Sequence, residues 1–562
     1  MSNKNNLSRI QSALMKAESV LSSALKEAGF SEEVFLEIPK GMQGDFASPI
    51  AMRLAKRGGN PLQIAEKIVS KIKVEEPFSD VVAMKPGFIN FTLSEKEIAG
   101  VVKDIIANPD EWGRSSVYDE NRIIVEFTDP NLFKELHIGH FMSNTIGESL
   151  SRFFEFGGAD VKKVSYMADI GLHIAKSIWG IKKAGLSVEE LTSESLADAY
   201  KKGSKEYEED EGARSEIDDI NVLIYENKDA EITAIYKKGH KTSMDEFEGL
   251  FEMFGTRFDK YFFESDTVVS ADKIIKKALG DGILEKSEGA VVYRGVGEGM
   301  HTVVFLNSRG FPTYGGKELA LPKLKDDYWQ HNKSFIVTAN ETRAHFKTVL
   351  SALSKINKEE AEKTKIIFHG ILKLPEGKMS SRKGTTFSAR QFIDSLREKV
   401  KGKSDRNLSD EDVNEITLGA AKYSILSTSS HLDREFVYDK ALSINGETGP
   451  YLQYASVRAR VLLEKAKESD IKIENDFSII NPTLAREIIR FEEVVKESIV
   501  KQSPHTTLRY LADLAHSFNS WYEREPILKN DRAGDCLALV RAFYSTMKNG
   551  CYLLGIKLPK EM

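Results

Sequence analysis

The feature that most constrains this chain is a strand, a polar loop and a helix in immediate succession between residues 123 and 158. Ile123-Ile124-Val125-Glu126-Phe127 is a short, apolar, β-branched run of the kind that lies in a buried parallel strand. Thr128 to Leu136 is polar. Ile138, Met142, Ile146, Leu150 and Phe154 then recur every four residues until Gly157-Gly158, which predicts one amphipathic helix with a glycine stop. Strand, loop and helix in that order open a doubly wound, Rossmann-like parallel sheet, a fold that takes ligands at the carboxyl ends of its strands.

Two histidines sit where that loop becomes the helix. A helix N-terminus has free N–H groups and a partial positive charge, so it attracts phosphate. His137 and His140 add donors there, and Gly139 between them leaves room for a flat ring against the backbone. By themselves they can also be read as surface histidines. Far downstream, Gly377-Lys378-Met379-Ser380-Ser381-Arg382-Lys383-Gly384 is a glycine-flanked cationic loop. Such a loop can close over phosphates and neutralise the charge that develops on a departing one, although alone it is equally a solvated basic turn.

The rest of the chain falls around this core. With 562 residues there is room for about three or four domains. Residues 1–95 form an α/β unit in which Val81 to Phe91 gives two strand pieces broken by Pro86-Gly87. A turn-rich stretch from Pro109 to Arg114 marks a boundary, and residues 113–407 make up the Rossmann-type unit. Within it, residues 185–235 are an acidic, helical insertion. The parallel sheet is then expected to resume at Thr302–Phe305, Ser334–Val337 and Lys365–Phe368. Residues 408–562 read as nearly all helix, with Leu508, Leu511, Leu514, Ala515 and Phe518 in a 3.6-residue period. The fold class is therefore multidomain α/β plus all-α.

Charge leaves the choice of partner open. The net value of −6 hides an acidic stretch at Lys205–Asp219 and a basic one at Arg397–Arg406, and a nucleic-acid binder needs a basic face rather than a basic total. Only Cys536 and Cys551 are present, which excludes a disulfide framework or a cysteine zinc site and fits a reducing cytoplasm. No apolar run approaches the roughly 20 residues that span a bilayer, and the first residues lack the features of a signal peptide, so no membrane association is expected.

His137-Ile138-Gly139-His140 taken with Lys378-Met379-Ser380-Ser381-Arg382 resembles the paired signature of class I aminoacyl-tRNA synthetases, over essentially the whole chain. The usual second string is KMSKS. Ser381 departs from it, and Arg382 or Lys383 would supply the missing charge. Several further strings resemble the arginyl-tRNA synthetase family. Asp129-Pro130-Asn131-Leu132-Phe133-Lys134 is similar to its SPN-x-x-K, and Phe258-Asp259 to Glu264-Ser265 to its FD-x-x-x-x-ES. Thr313-Tyr314 to Glu318-Leu319-Ala320 is similar to its TY-x-x-x-D-LA, and Thr448 to Ala455 to its TGPYLQYA. The ending, Leu554 to Met562, also resembles the family's finish.

The resemblance implies an N-terminal additional domain that touches the D-loop corner of tRNA, a catalytic domain, and a C-terminal helical anticodon-binding domain. It implies ATP-dependent activation of L-arginine and transfer to tRNA(Arg), with bound tRNA needed for the first step, by a monomer. ATP would come with Mg²⁺, and no protein-bound zinc is expected. Catalysis would fall to His137, His140, Lys378, Arg382 and Lys383. ATP would be held by Pro130, Asn131, Lys134, His137, Gly139, His140, Lys378, Met379 and Ser380. Arginine would be held by Asn131 at its α-amino group, by Glu264, Tyr314 and Glu318 at its guanidinium, and floored by His345. Carboxylates suit that task because a guanidinium is a planar fork of N–H donors. Glu318 stands where the family more often has aspartate, and Thr342 where glutamine is common. Asn90, Tyr451, Tyr454 and Arg458 would contact tRNA. Two other classes share parts of this pattern: a small-molecule nucleotidyltransferase, which lacks the long helical C-terminal unit, and a non-catalytic tRNA-binding paralogue, which has no need of intact His137, His140 and Lys378.

Overall fold

The computed structural model describes residues 8–39, 44–295, 300–374, 387–403, 407–474 and 476–562. The first described element is a helix, Arg9–Glu27, capped by the Ser8 hydroxyl, which buries Ile10, Ala13, Ala17, Leu21, Ala24 and Leu25 along one face. Three antiparallel strands follow, β1 (Phe46–Ser48), β2 (Phe78–Met84) and β3 (Phe88–Leu93), in the order β1-β3-β2. The Pro86-Gly87 break is the tight turn between β2 and β3, with Gly87 at φ 150°.

The later strands of three or more residues, among the described residues, are β4 (Arg122–Glu126), β5 (Asp160–Met167), β6 (Lys260–Phe263), β7 (Glu285–Ser287), β8 (Ala290–Arg294), β9 (Thr302–Leu306), β10 (Lys333–Ala339) and β11 (Thr364–His369). Five of them form a parallel sheet in the order β11-β10-β4-β5-β6. Its centre is β4, whose Ile123, Ile124 and Val125 are fully buried because both faces of the sheet are covered.

Two expectations need correction here. Thr302–Phe305 does not continue the parallel sheet: it lies in β9, at the edge of a separate antiparallel sheet β7-β8-β9 with its own small core around Ile275, Phe305 and Leu353. Val303 and Phe305 face in while Val304 is exposed, the alternation of a strand covered on one side only. A four-residue apolar run does not reveal whether its partner is parallel or antiparallel. Conversely β6, the edge of the parallel sheet, is only four residues long and hidden inside the Phe258–Ser265 string.

The helix Ile138–Phe156 is the second correction. It ends at Gly157 as its periodicity requires, but it is buried all round rather than amphipathic. Its polar residues satisfy one another and their neighbours. Asn144 bridges Thr128 and Thr256, Ser149 donates to the Leu553 carbonyl at 2.9 Å, and Glu148 meets Arg152 and Lys163. The sheet covers one side and the C-terminal helices the other.

Between β5 and β6 the chain is helical throughout, in Leu172–Ala184, Ser193–Glu209, Glu211–Glu226 and Ala230–Phe254, so the excursion runs on past residue 235. From Asp410 on, the described residues form six helices of eight or more residues, the first Asp410–Leu426 and the last Ala533–Leu553. Leu508, Leu511, Leu514, Ala515 and Phe518 are all buried in this bundle. The bundle docks onto the N-terminal unit through Arg486, which pairs with Asp45, and through Trp112, whose Nε1 donates to Thr546 at 3.0 Å. One apolar core consequently runs through all three regions. Among the described residues no helix is long and apolar enough to cross a membrane.

Candidate active site

A cavity of about 300 Å³ opens at the carboxyl ends of β4, β5 and β10, where the strand order of the sheet reverses. One wall is the loop that leaves β4. Thr128 (φ 79°) and Asp129 (φ 44°) both adopt the left-handed conformation, an uncommon arrangement for side-chain-bearing residues that turns the loop sharply into the cavity mouth. The loop is pinned to the buried helix, since Ser143 accepts the Thr128 N–H at 3.1 Å.

His137 caps that helix. Its Nδ1 accepts the Gly139 N–H at 3.1 Å, and His140 Nδ1 accepts the His137 N–H at 3.1 Å. The two rings stack with centroids 3.7 Å apart. Burial lowers the pKa of His137 to about 4, with nearby Lys134 acting in the same direction. Burial pushes His140 well below the ordinary histidine range, and the neighbouring His137 adds to it. Both rings are therefore neutral near pH 7, and with each Nδ1 accepting, each carries its proton on Nε2. The site thus offers two imidazole N–H donors rather than two imidazolium charges. The N–H groups of the helix end are less available than the sequence suggests, because Gly139 already donates to His137. Gly139 has a second reason to be glycine: a Cβ there would lie 2.9 Å from the His137 ring.

The opposite wall is acidic. Glu126, Asp129, Glu264 and Glu318 all line the cavity. Two buried lysines face them. Lys317 Nζ pairs tightly with Glu264, and Lys325 Nζ lies 2.5 Å from Glu126 Oε2. Among the described residues no lysine or arginine pairs directly with Glu318 or Asp129, although Lys325 acts on both from a distance. Burial, then the adjacent Glu126, raises the Glu318 pKa to about 8, against the opposing pull of Lys325 and a hydrogen bond from the Tyr314 hydroxyl. The same two causes push Asp129 well above the usual carboxylate range. Buried carboxylates with raised pKa, gathered in a cleft, mark a candidate functional site.

The structure brings together Asn131, His137, Gly139, His140, Glu264, Tyr314 and Glu318 of the residues picked from sequence. Glu264 arrives already paired with Lys317, so it is less free to take a ligand than the resemblance implies. Pro130 lies just behind the lining and accepts the Ala168 N–H at 3.0 Å. Lys134 turns away, its ammonium 4.1 Å from the Tyr200 ring centroid. His345 stacks on the far side of Tyr314, with centroids 5.1 Å apart. Thr342 donates to the Ala339 carbonyl at 2.8 Å.

The candidates for tRNA contact are also engaged internally. Asn90 is buried in β3 and donates to the Met84 sulfur. Arg458 lies over the rings of Tyr454 and Tyr522 and donates to Asn519 at 3.1 Å. Tyr451 sits in the first turn of the helix Gly449–Glu468, beside its Thr448 cap.

Lys378, Met379, Ser380, Ser381, Arg382 and Lys383 lie outside the described residues. The chain re-enters beside the histidines, with Ser388 bridged to His137 and the Ala389 N–H donating to the Leu136 carbonyl at 2.7 Å. Sequence reasoning missed Glu126, Asp129, Tyr166, Lys317 and His369 as parts of the site. Asp129 alone had a signal, an acid standing where the resembled string has serine.

Comparison with known proteins agrees with this geometry. Residues 101–438 match the family described as tRNA synthetases class I (R), catalytic domain. Residues 11–93 match the arginyl tRNA synthetase N terminal domain, and residues 452–562 the DALR anticodon binding domain. An arginine–tRNA ligase of Treponema denticola is 29% identical, over 94% of this chain and 95% of its own. One from Clostridium perfringens is 28% identical, over 94% and 96%. Among solved structures, the arginyl-tRNA synthetase of Thermus thermophilus superposes with a TM-score of 0.78 at 22% identity, covering 98% of this chain and 100% of that one. That of Plasmodium falciparum gives 0.76 at 21%, covering 98% and 99%. The chain belongs to the class I tRNA synthetases of the arginine type.

Proposed function

We propose that this protein is an arginyl-tRNA synthetase and that the cavity between the histidine loop and the acidic wall performs both of its steps. The arginine carboxylate attacks the α-phosphate of ATP, releasing pyrophosphate, and the terminal ribose hydroxyl of tRNA(Arg) then attacks the activated carbonyl, releasing AMP. No enzyme nucleophile is required, so catalysis rests on positioning and on stabilising charge. The Nε2–H groups of His137 and His140 donate to phosphate oxygens, and the cations at Lys378, Arg382 and Lys383 act on the departing pyrophosphate. Pro130, Asn131, Gly139, Met379 and Ser380 shape the nucleotide site, and Lys134 contributes a positive field from behind it.

The observation that carries arginine as substrate is the imbalance of the acidic wall, where, among the described residues, four carboxylates face two lysines. Glu318, with Tyr314 beside it, is the acceptor for the guanidinium. Mg²⁺ enters with the substrate as MgATP. The C-terminal bundle binds the anticodon arm and the N-terminal unit an outer corner of the tRNA. The protein acts as a monomer in this reading, and its two buried free cysteines fit the cytoplasm.

ATP–pyrophosphate exchange across the amino acids, with and without tRNA, tests the reading. The expected result is exchange with arginine alone, dependent on tRNA(Arg). Exchange with another amino acid, or none under any condition, would overturn it.

A further inference from the structure

Arg434 is a buried cation with no carboxylate against it among the described residues. It stands in the two-residue strand Arg434–Glu435, which runs parallel to Leu372–Lys373 beyond the end of β11. The residue is 7% exposed, whereas its chain neighbours Asp433 and Glu435 face water, as strand alternation requires. Asp433 is taken up by the Ile371 N–H at 3.0 Å and by Lys373 at 2.9 Å. Arg434 Nη2 donates to the carbonyls of Thr428 at 2.6 Å and Ser429 at 3.0 Å. Among the described residues Nε and Nη1 have no acceptor. A charge taken out of water without a counter-charge is costly, and burial alone lowers the Arg434 pKa to about 10.

Arg434 lines a cavity of about 500 Å³ that shares no residue with the active site. The cavity lies between the end of the helix Asp410–Leu426 and the start of the helix Gly449–Glu468. Lys440 brings it a second positive charge, and Thr428 a hydroxyl. The acids of its lining, Asp433, Glu435 and Glu447, are all exposed to water. The Gly370 N–H donates to the Ser430 carbonyl at 2.9 Å, so the loop before Arg434 backs onto the strand end that carries His369. From these observations, and independently of the function proposed above, we infer that this cavity is a binding site for an oxyanion of the phosphate class, held by Arg434. A guanidinium suits phosphate oxygens because its charge is spread over a plane of N–H donors. The anion supplies the counter-charge that the fold leaves out. Its source is either a free phosphate or a phosphate of the tRNA backbone, and the chemistry at Arg434 is the same for both.

The test is calorimetric titration of the full chain with inorganic phosphate. Arg434→Gln keeps a donor for the Thr428 and Ser429 carbonyls and drops the charge, whereas Arg434→Lys keeps the charge. Thermal melting confirms that both fold. Arg434→Gln is expected to weaken phosphate roughly 10- to 150-fold, as loss of a charge-assisted hydrogen bond does, and Arg434→Lys to stay within about tenfold of wild type. Binding that survives in Arg434→Gln belongs to the histidine cavity. The source of the anion is read from tRNA affinity measured across a range of salt. If a free oxyanion is the occupant, Arg434→Gln leaves tRNA binding unchanged. If a backbone phosphate is the occupant, the variant binds tRNA more weakly, with a salt slope shallower by about one. Should both variants melt too early to titrate, hydrogen exchange on the wild type decides, with phosphate or tRNA expected to slow the amides of residues 427–436. The inference is overturned if Arg434→Gln leaves phosphate and tRNA binding both unchanged, or if neither ligand slows those amides.

Discussion

Glu318 in the free protein holds a proton that its ligand must displace. Its carboxyl titrates near pH 8 because it is buried and faces Glu126, with Asp129, Glu264, Tyr314 and Lys325 as its other charged or titratable neighbours. A guanidinium needs the ionised form. Arginine binding at pH 7 should therefore release a proton, and affinity should rise by up to about tenfold per pH unit towards pH 8 and then level off. The stability contribution runs the other way. With the folded pKa raised above its unfolded value, this group stabilises the free protein at low pH and loses that effect as pH rises through 8. Calorimetry in buffers of different ionisation enthalpy measures the released proton. In Glu318→Gln that proton should vanish, with arginine weakened and the Michaelis constant for ATP unchanged. The histidines make a contrasting prediction. Both are neutral across the working range, so their donors do not switch with pH. His140→Ala should slow adenylate formation by about 10²–10³ with arginine affinity intact. An unchanged exchange rate in a folded variant would remove His140 from the mechanism.

Two glycines of the buried helix separate its catalytic end from its structural middle. A Cβ at Gly139 would lie 2.9 Å from the His137 ring and push it off its cap, whereas a Cβ at Gly147 would lie 2.1 Å from Phe127 Cγ and drive the helix from the sheet. Gly139→Ala should therefore lose activation rate with little change in melting temperature. Gly147→Ala should lose stability by about 1–3 kcal/mol, as overpacked cores do, seen as an earlier thermal transition. A reversal of these two effects would contradict the placement of the helix. This element was legible in part. Its apolar period and glycine stop were plain, but Ser143, Asn144, Glu148 and Ser149 looked like a solvent face. Ser143, Asn144 and Ser149 are buried because Val337, Thr256 and Leu553, each more than a hundred positions away, share their hydrogen bonds, and Glu148 is closed by Arg152 and Lys163.

At the scale of the whole molecule, Lys422 joins three regions. Fully buried in the helix Asp410–Leu426, it donates at 2.7 Å to the Phe254 carbonyl, where the helical excursion ends, and at 2.7 Å to Gly555 in the C-terminal tail. Burial, then nearby Arg152, lowers its pKa to about 7, so it serves largely as a neutral donor at and above that pH. Lys422→Met would strand two buried carbonyls, each at a cost of about 1–3 kcal/mol, and should bring earlier melting and proteolysis in the C-terminal bundle. The unfolded chain binds the Lys422 proton between pH 7 and 10.5 and the folded chain does not. The stability gap between wild type and variant should therefore widen as pH rises through that window. A gap that is flat or narrows would show that Lys422 is not buried as described.

Some of this protein could be read from residues in a row. The buried strand Ile123–Phe127, the histidines at a helix start and the strings around Tyr314 and Thr448 are local patterns, set by side-chain period and by chemistry that short spacings preserve. They were enough for the Rossmann-type sheet, the helical C-terminal region and the family. What only the tertiary structure decided was partnership. It placed β9 in an antiparallel sheet, closed Glu264 with Lys317, turned Lys134 onto Tyr200 and left Asp129 facing the cavity. The physical reason is that a buried charge is defined by what stands opposite it. That neighbour is chosen by the packing of segments far apart in the chain, which no local period encodes.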